Sequence, residues 1–173
     1  KGFLYRMFRK KEIELYKLSD HIGCMSPANV EYLLKHNPFI DRNNVCVAPN
    51  SYEFTGFTAM NESEKKQIRE KYGIPADKIV FLYGGNLGKP QGIPFLIDCL
   101  KAISKDKQFA ENAHFVVIGK GTERPKLKSW FNEAQPQNVS VMDFIPKEDY
   151  DLLARSCDVG LIFLDYMMRE TIM

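Results

Sequence analysis

The spacing of apolar residues changes character along the chain, and each change predicts a different kind of element. Over residues 1–17, Phe3, Leu4, Met7 and Phe8 recur at helical spacing among Arg6, Arg9, Lys10 and Lys11, which predicts a basic amphipathic helix. A short apolar segment from His21 to Met25 follows, and Ser26-Pro27 then sets an N-cap serine before a first-turn proline. The helix opened there carries Val30, Leu33 and Leu34 toward Asn37-Pro38. Val45-Cys46-Val47-Ala48, closed by Pro49-Asn50, predicts a short strand ending in a turn. Periodicity is lost from Ser51 to Met60, and a charged helix from Asn61 to Tyr72 then stops at Gly73 with Pro75 beyond it.

From residue 79 the pattern becomes regular. Ile79-Val80-Phe81-Leu82-Tyr83 leads through a Gly-rich turn into a helix over 93–104, with Phe95, Leu96, Cys99, Leu100 and Ile103 on one face. Phe115-Val116-Val117-Ile118 repeats the unit, with Gly119-Lys120-Gly121 and a helix around Leu127 to Phe131. Val139 to Met142 and a helix around Lys147 to Ser156 repeat it again, before a last apolar strand from Val159 to Leu164. Continuous apolar strands need both sheet faces covered, and right-handed crossovers place helices on each side. The expected fold class is therefore α/β, a Rossmann-like doubly wound parallel sheet. Four strands are half of such a sheet, so it is expected to be incomplete. Three parts are expected: residues 1–50 as the remnant of a preceding domain, 51–78 as linker and helix, and 79–173 as a truncated nucleotide-binding domain.

Composition narrows the function. At 173 residues, with 45% hydrophobic and 27% charged positions, the chain is an ordinary folding one rather than a disordered one. Its 24 Lys plus Arg against 22 Asp plus Glu leave +2, too balanced for a protein that coats nucleic acid, so no nucleic-acid partner is expected. Cys24, Cys46, Cys99 and Cys157 are widely spaced, and His21, His36 and His114 make no cluster, so reduced, mostly buried thiols and no metal site are expected. The apolar stretch from Val159 to Met168 is interrupted by Asp165 and falls short of the roughly 20 residues that cross a bilayer. The N-terminal residues lack a signal peptide's pattern. A cytoplasmic fragment of a longer protein is expected, with the basic helix either packed on a missing domain or contacting the inner face of the plasma membrane peripherally.

Ligands of such sheets bind at the carboxyl ends of the strands. The first loop, Gly84-Gly85-Asn86-Leu87-Gly88-Lys89-Pro90-Gln91-Gly92, has four glycines in nine residues before a helix N-terminus, which suits a phosphate or diphosphate. Lys89 offers a cation there, and Asn86 and Gln91 offer amides; a turn needed only for packing explains the glycines equally well. Neither standard phosphate motif fits: Gly88-Lys89 is followed by Pro90 rather than Ser or Thr, and Gly84-Gly85-Asn86 lacks the third-position glycine. The acidic ribose partner of a dinucleotide site is also absent, which counts against a dehydrogenase. The loop after the next strand, with Gly119, Gly121 and Glu123, permits close backbone approach. The third, with Phe144, Ile145 and Pro146, carries apolar residues that form either a base-binding wall or packing against the sheet.

In this order, these segments resemble the donor-binding domain of GT-B glycosyltransferases of family 4, the group that builds bacterial capsular and exopolysaccharides. The match rests on Val45 to Asn50, Tyr72-Gly73-Ile74-Pro75, the loop Gly84 to Gly92, Val117 to Glu123, Asn138-Val139 through Pro146, and Cys157-Asp158-Val159-Gly160-Leu161. The resemblance implies transfer of a sugar from a nucleotide-sugar to a polysaccharide or lipid-linked acceptor, with retention at the anomeric carbon and without a metal. The nucleotide-sugar is then the donor substrate, and no cofactor is implied. The backbone at Gly84 and Gly85 would face the diphosphate, with Lys89 and Gly92 near it. Asn86 stands where many members have Arg, and Gln91 where many have Lys; these departures leave Lys89 as the loop's sole cation. Gly119, Gly121 and Glu123 would lie beside the nucleoside, with Phe144, Ile145 and Pro146 at the base. The family's paired-Glu signature does not occur, Glu170 is no substitute for it, and catalytic residues are not assigned. A fragment lacking most of the acceptor domain is expected to be inactive alone; a non-catalytic Rossmann-like binding fragment is the alternative.

Overall fold

The computed structural model describes residues 2–51 and 59–164, which divide into two compact units on either side of that gap. The expected linker between Ser51 and Met60 falls mostly in the gap, and Asp165 and Glu170 also lie outside the described residues.

The first unit opens with α1 (Phe3–Leu18), followed by β1 (Ile22–Cys24), α2 (Pro27–His36) and β2 (Val45–Val47). Ser26 caps α2 by accepting from the Asn29 N–H at 3.2 Å, satisfying one of the orphan donors of the first turn. β1 and β2 pair in parallel, Ile22 opposite Val45. Val30, Leu33 and Val45 form a small core, with Tyr16 and Ile22 packed against it. Arg9 fixes α1 to the end of α2 through the Asn37 side chain and the His36 carbonyl. The apolar side chains Phe3, Leu4, Phe8, Leu15 and Leu18 stay exposed.

The second unit contains α3 (Glu62–Lys71), β3 (Ile79–Asn86), α4 (Ile93–Lys105), α5 (Lys107–Asn112), β4 (Ala113–Lys120), α6 (Arg124–Ala134), β5 (Val139–Met142), α7 (Lys147–Ser156) and β6 (Val159–Gly160). A capping box opens α3: the Asn61 side chain accepts from Glu64 N–H while the Glu64 carboxylate accepts from Asn61 N–H, both at 2.9 Å. All strand pairs are parallel, in the order β5-β4-β3-β6. The order reverses between β3 and β6, so the switch point of the doubly wound fold opens there.

Burial on both faces explains the continuous apolar strands. Tyr83, Phe115 and Val117 point to one face and pack under Leu96, Leu100 and Leu127 of α4 and α6. Their neighbours Val80, Leu82, Val116 and Ile118 point to the other, toward Ile74 and Leu153. Alternate residues thus enter two cores, which forces hydrophobicity at every position. No described helix is long and apolar enough to cross a membrane.

Several expectations are corrected. The first Gly-rich segment starts as strand: Gly84, Gly85 and Asn86 continue β3 because they pair in register with Ile118, Gly119 and Lys120. β6 pairs only over Val159 and Gly160 rather than running to Leu164. The buried stripe of α4 is Ile93, Leu96, Ile97 and Leu100, leaving Phe95 exposed with its ring edge toward Phe163. The thiols are not mostly buried: Cys46 is exposed, and Cys24, Cys99 and Cys157 are half-buried. The short α5, capped by Asp106, was not signalled by periodicity.

Candidate nucleotide-binding cleft

A cleft of about 300 Å3 opens at the carboxyl ends of β3 and β4. Its floor is the backbone of Gly84, Gly85 and Gly119 with Ile118, and its walls are Lys120, Phe144, Ile145, Lys147 and Tyr150. The lining holds two lysines and no carboxylate, a balance that favours an anion. A second depression, about 350 Å3, lies at the switch point beside β6, and Gly84 and Tyr150 border both.

The glycines are there for different reasons. A Cβ on Gly119 would overlap the Gly85 carbonyl oxygen, one on Gly121 the Leu87 backbone, and one on Gly84 the Tyr150 hydroxyl. Gly119 and Gly121 are required by backbone packing, whereas Gly84 abuts only the outer end of the Tyr150 side chain. Gly85 differs, because a Cβ there would meet nothing within 4 Å, and its φ of +155° disfavours a side chain for backbone reasons. It presents bare backbone to open space in the cleft.

The anticipated residues separate into two groups. Gly84, Gly85, Gly119, Phe144 and Ile145 line the cleft, whereas Asn86, Lys89, Gln91, Gly92, Gly121, Glu123 and Pro146 do not. Asn86 and Gln91 instead converge on Gly88: its Cβ position lies 3.0 Å from Gln91 Oε1 and 3.2 Å from Asn86 Nδ2. Gln91 Oε1 is buried without a hydrogen-bond partner. Gly92, in the left-handed region, starts α4 with no side-chain cap, so its first-turn N–H groups have no side-chain acceptor there. Lys89 is exposed in the single 3-10 turn before it. Glu123 is buried at the start of α6, where its carboxylate holds the Lys126 ammonium at 2.5 Å and its N–H donates to the Leu87 carbonyl at 2.8 Å.

Three lining residues were not singled out from the sequence. Lys120 extends its ammonium to 4.5 Å from the centroid of the Phe144 ring, a cation–π arrangement. Lys147 pairs with Asp151 one turn along α7 at 2.6 Å. Burial raises the Tyr150 hydroxyl above the usual phenol range, with Cys157 and Asp151 adding to the effect. Phe144 is 62% exposed, which decides against its packing on the sheet. Arg124 is turned to Asp143 rather than into the cleft. Burial pushes the Cys157 thiol up to about 11, leaving it unreactive near neutral pH. Among the described residues no group of three or more His, Cys, Asp or Glu is placed to hold a metal ion.

Residues 64–166, including every lining residue of the cleft, match the family of glycosyl transferases group 1. The chain belongs to this family. Among curated glycosyltransferase relatives, it is 27% identical over 117 residues to WcaI of Escherichia coli, described as a colanic acid biosynthesis glycosyl transferase. It is 28% identical over 142 residues to an uncharacterized glycosyltransferase of Methanocaldococcus jannaschii. The match takes in 68% and 82% of this chain but only 27% and 33% of those proteins. The fold is that of WaaG, a glycosyltransferase involved in lipopolysaccharide biosynthesis, with a TM-score of 0.65 at 18% identity over 94% of this chain and 45% of WaaG. It is also that of Anabaena HepE, solved in complex with UDP-glucose, with a TM-score of 0.61 at 17% identity over 84% of this chain and 38% of HepE. The parallel sheet is therefore that of GT-B glycosyltransferases.

Proposed function

We propose that residues 79–173 are the donor nucleotide-sugar-binding part of a retaining, metal-independent glycosyltransferase, and residues 1–50 the end of its acceptor domain. The observation that carries this reading is Gly85, whose bare backbone faces open space in a carboxylate-free cleft at the strand ends. A nucleoside diphosphate is anionic and flat at one end, and the cleft supplies ammonium groups and an exposed aromatic ring. HepE, of the same fold, binds UDP and UDP-glucose.

Chemically, the departing nucleoside diphosphate gains charge as the glycosidic bond breaks. Groups already oriented toward that charge lower the barrier, because they do not reorganise at the moment of reaction. Lys120 and Lys147 line the cleft, with Lys89 and the uncapped first turn of α4 in the loop that follows β3. These groups stand in for a metal. The acceptor, a polysaccharide or lipid-linked saccharide of capsule or exopolysaccharide synthesis, would bind through the rest of the acceptor domain. A cytoplasmic location fits that chemistry, and α1 supplies a peripheral membrane contact. Saturation-transfer NMR tests the central point: nucleoside diphosphate resonances should saturate with this chain and not with Gly85→Ala, and equal saturation of both would refute it.

A further inference from the structure

The edge of β3 that faces β6 runs out of partners before the strand ends. β6 pairs no further than Gly160 opposite Leu82, and the last bond across that edge runs from the Leu161 N–H to the Leu82 carbonyl at 2.7 Å. Backbone polar groups of a strand turn alternately to its two neighbours, so the next N–H on this side is that of Gly84. It has no acceptor among the described residues, and a donor left so at a strand end calls for one. Tyr150 reaches the same place from α7. Its ring packs against the core of Leu82 and Leu153, and its hydroxyl takes the space that a Cβ on Gly84 would need. That hydroxyl makes no hydrogen bond to a described residue, and burial raises its pKa, which keeps it a donor at neutral pH. Among the described residues, Gly84 and Tyr150 are the two that border both the cleft and the switch-point depression. The carboxylate lining that depression, Asp158, is taken up by Arg69 and the Val80 N–H.

We propose that the Gly84 N–H and the Tyr150 hydroxyl together hold one phosphate oxygen of a bound nucleoside diphosphate, where the ligand passes from the cleft to the switch-point depression. This rests on the donor-nucleotide reading of the cleft and adds to it a contact from α7 that neither glycine loop supplies. Two donors meeting at one point suit an acceptor with several lone pairs and no hydrogen, and an anionic oxygen is the strongest of these. The same oxygen gains charge as the bond to the sugar breaks, so donors already aimed at it favour the departing diphosphate. Phenylalanine would fill the core beneath Gly84 equally well; the hydroxyl is what the contact uses.

Calorimetric titration with UDP, uridine and inorganic pyrophosphate separates the phosphate contact from the rest of the nucleotide. Tyr150→Phe keeps the ring and removes one oxygen; it should weaken UDP and pyrophosphate about tenfold each, and leave uridine within about twofold. Amide-resolved NMR of the unaltered chain supplies a readout that needs no variant: the Gly84 amide should shift when pyrophosphate is added. UDP binding that is indifferent to Tyr150→Phe, uridine weakened as much as UDP, or a Gly84 amide that stays still while UDP binds would overturn the inference and leave the donor reading standing. Failure of UDP to bind, with the Gly84 amide still answering pyrophosphate, would refute the donor reading instead, and no response to either ligand would refute both.

Discussion

Arg69 donates from Nη2 to Asp158 Oδ2 at 2.8 Å, joining residues 89 positions apart. The same carboxylate oxygen accepts the Val80 N–H at 2.8 Å, and the guanidinium also donates twice to the Ser156 carbonyl, at 2.8 and 2.6 Å. One side chain on α3 thus ties the end of α7 to the starts of β3 and β6, which frame the switch point. Arg69 is only 5% exposed, so its removal leaves buried acceptors unpaired.

Arg69→Met should therefore destabilise the second unit by about 2–3 kcal/mol, allowing for the partial exposure of Asp158. Arg69→Lys should lose most of the same amount, because one ammonium cannot reproduce the fork. Urea unfolding followed by circular dichroism measures both, and a Lys variant as stable as the parent would contradict the clamp.

Gly119 and Gly85 provide a matched pair. Both have a φ of +155°, yet a Cβ on Gly119 meets the Gly85 carbonyl while one on Gly85 meets nothing. Gly119→Ala should cost about 3 kcal/mol or more, since backbone has to move. Gly85→Ala should cost only the conformational strain, about 1–2 kcal/mol, and act chiefly by filling the cleft. Comparing melting with nucleotide affinity separates them: equal thermal losses would show that Gly85 is a packing glycine too.

His114 is 4% exposed, with Nε2 at 2.8 Å from Ser140 Oγ and Nδ1 buried without a partner. Burial, aided by the Lys78 charge, lowers its pKa from 6.5 to about 4. The unfolded chain therefore binds a proton between these values that the folded chain does not. Stability should be full above about pH 6.5, fall as pH drops toward 4, and lose up to about 3 kcal/mol from this group. His114→Gln should flatten that part of the stability profile; an unchanged slope would assign acid loss to other groups.

The exposed apolar side chains of α1 lie among Arg6, Lys10, Lys11 and Lys17. Weak, salt-sensitive binding to anionic vesicles is expected if the helix serves membrane recruitment. Sedimentation at low salt that leaves all the protein in solution would remove that role.

What could be read in advance was local or periodic. Ser26 and Asn61 announce helices through side chains that reach three residues along the chain, and the two long strands, β3 and β4, announce themselves because both faces are buried. The glycines misled, since Gly84 and Gly85 look like a turn and are held extended by β4, a long-range pairing that spacing does not encode. The cleft was legible as a set of strand ends, but its chemistry was not. Lys120 meets Phe144, and Tyr150 covers Gly84, only because neighbouring strands and α7 converge there. Asn86 and Gln91 read as phosphate amides, yet both lie against Gly88 outside the cleft.

The central claim is that the cleft is a nucleoside diphosphate site. Ligand-observed NMR of this chain with UDP, GDP, ADP and NAD tests it most directly. Selective saturation of one nucleoside diphosphate, with NAD silent, is the predicted result; saturation of NAD in preference to the diphosphates, or silence across the panel, would contradict it.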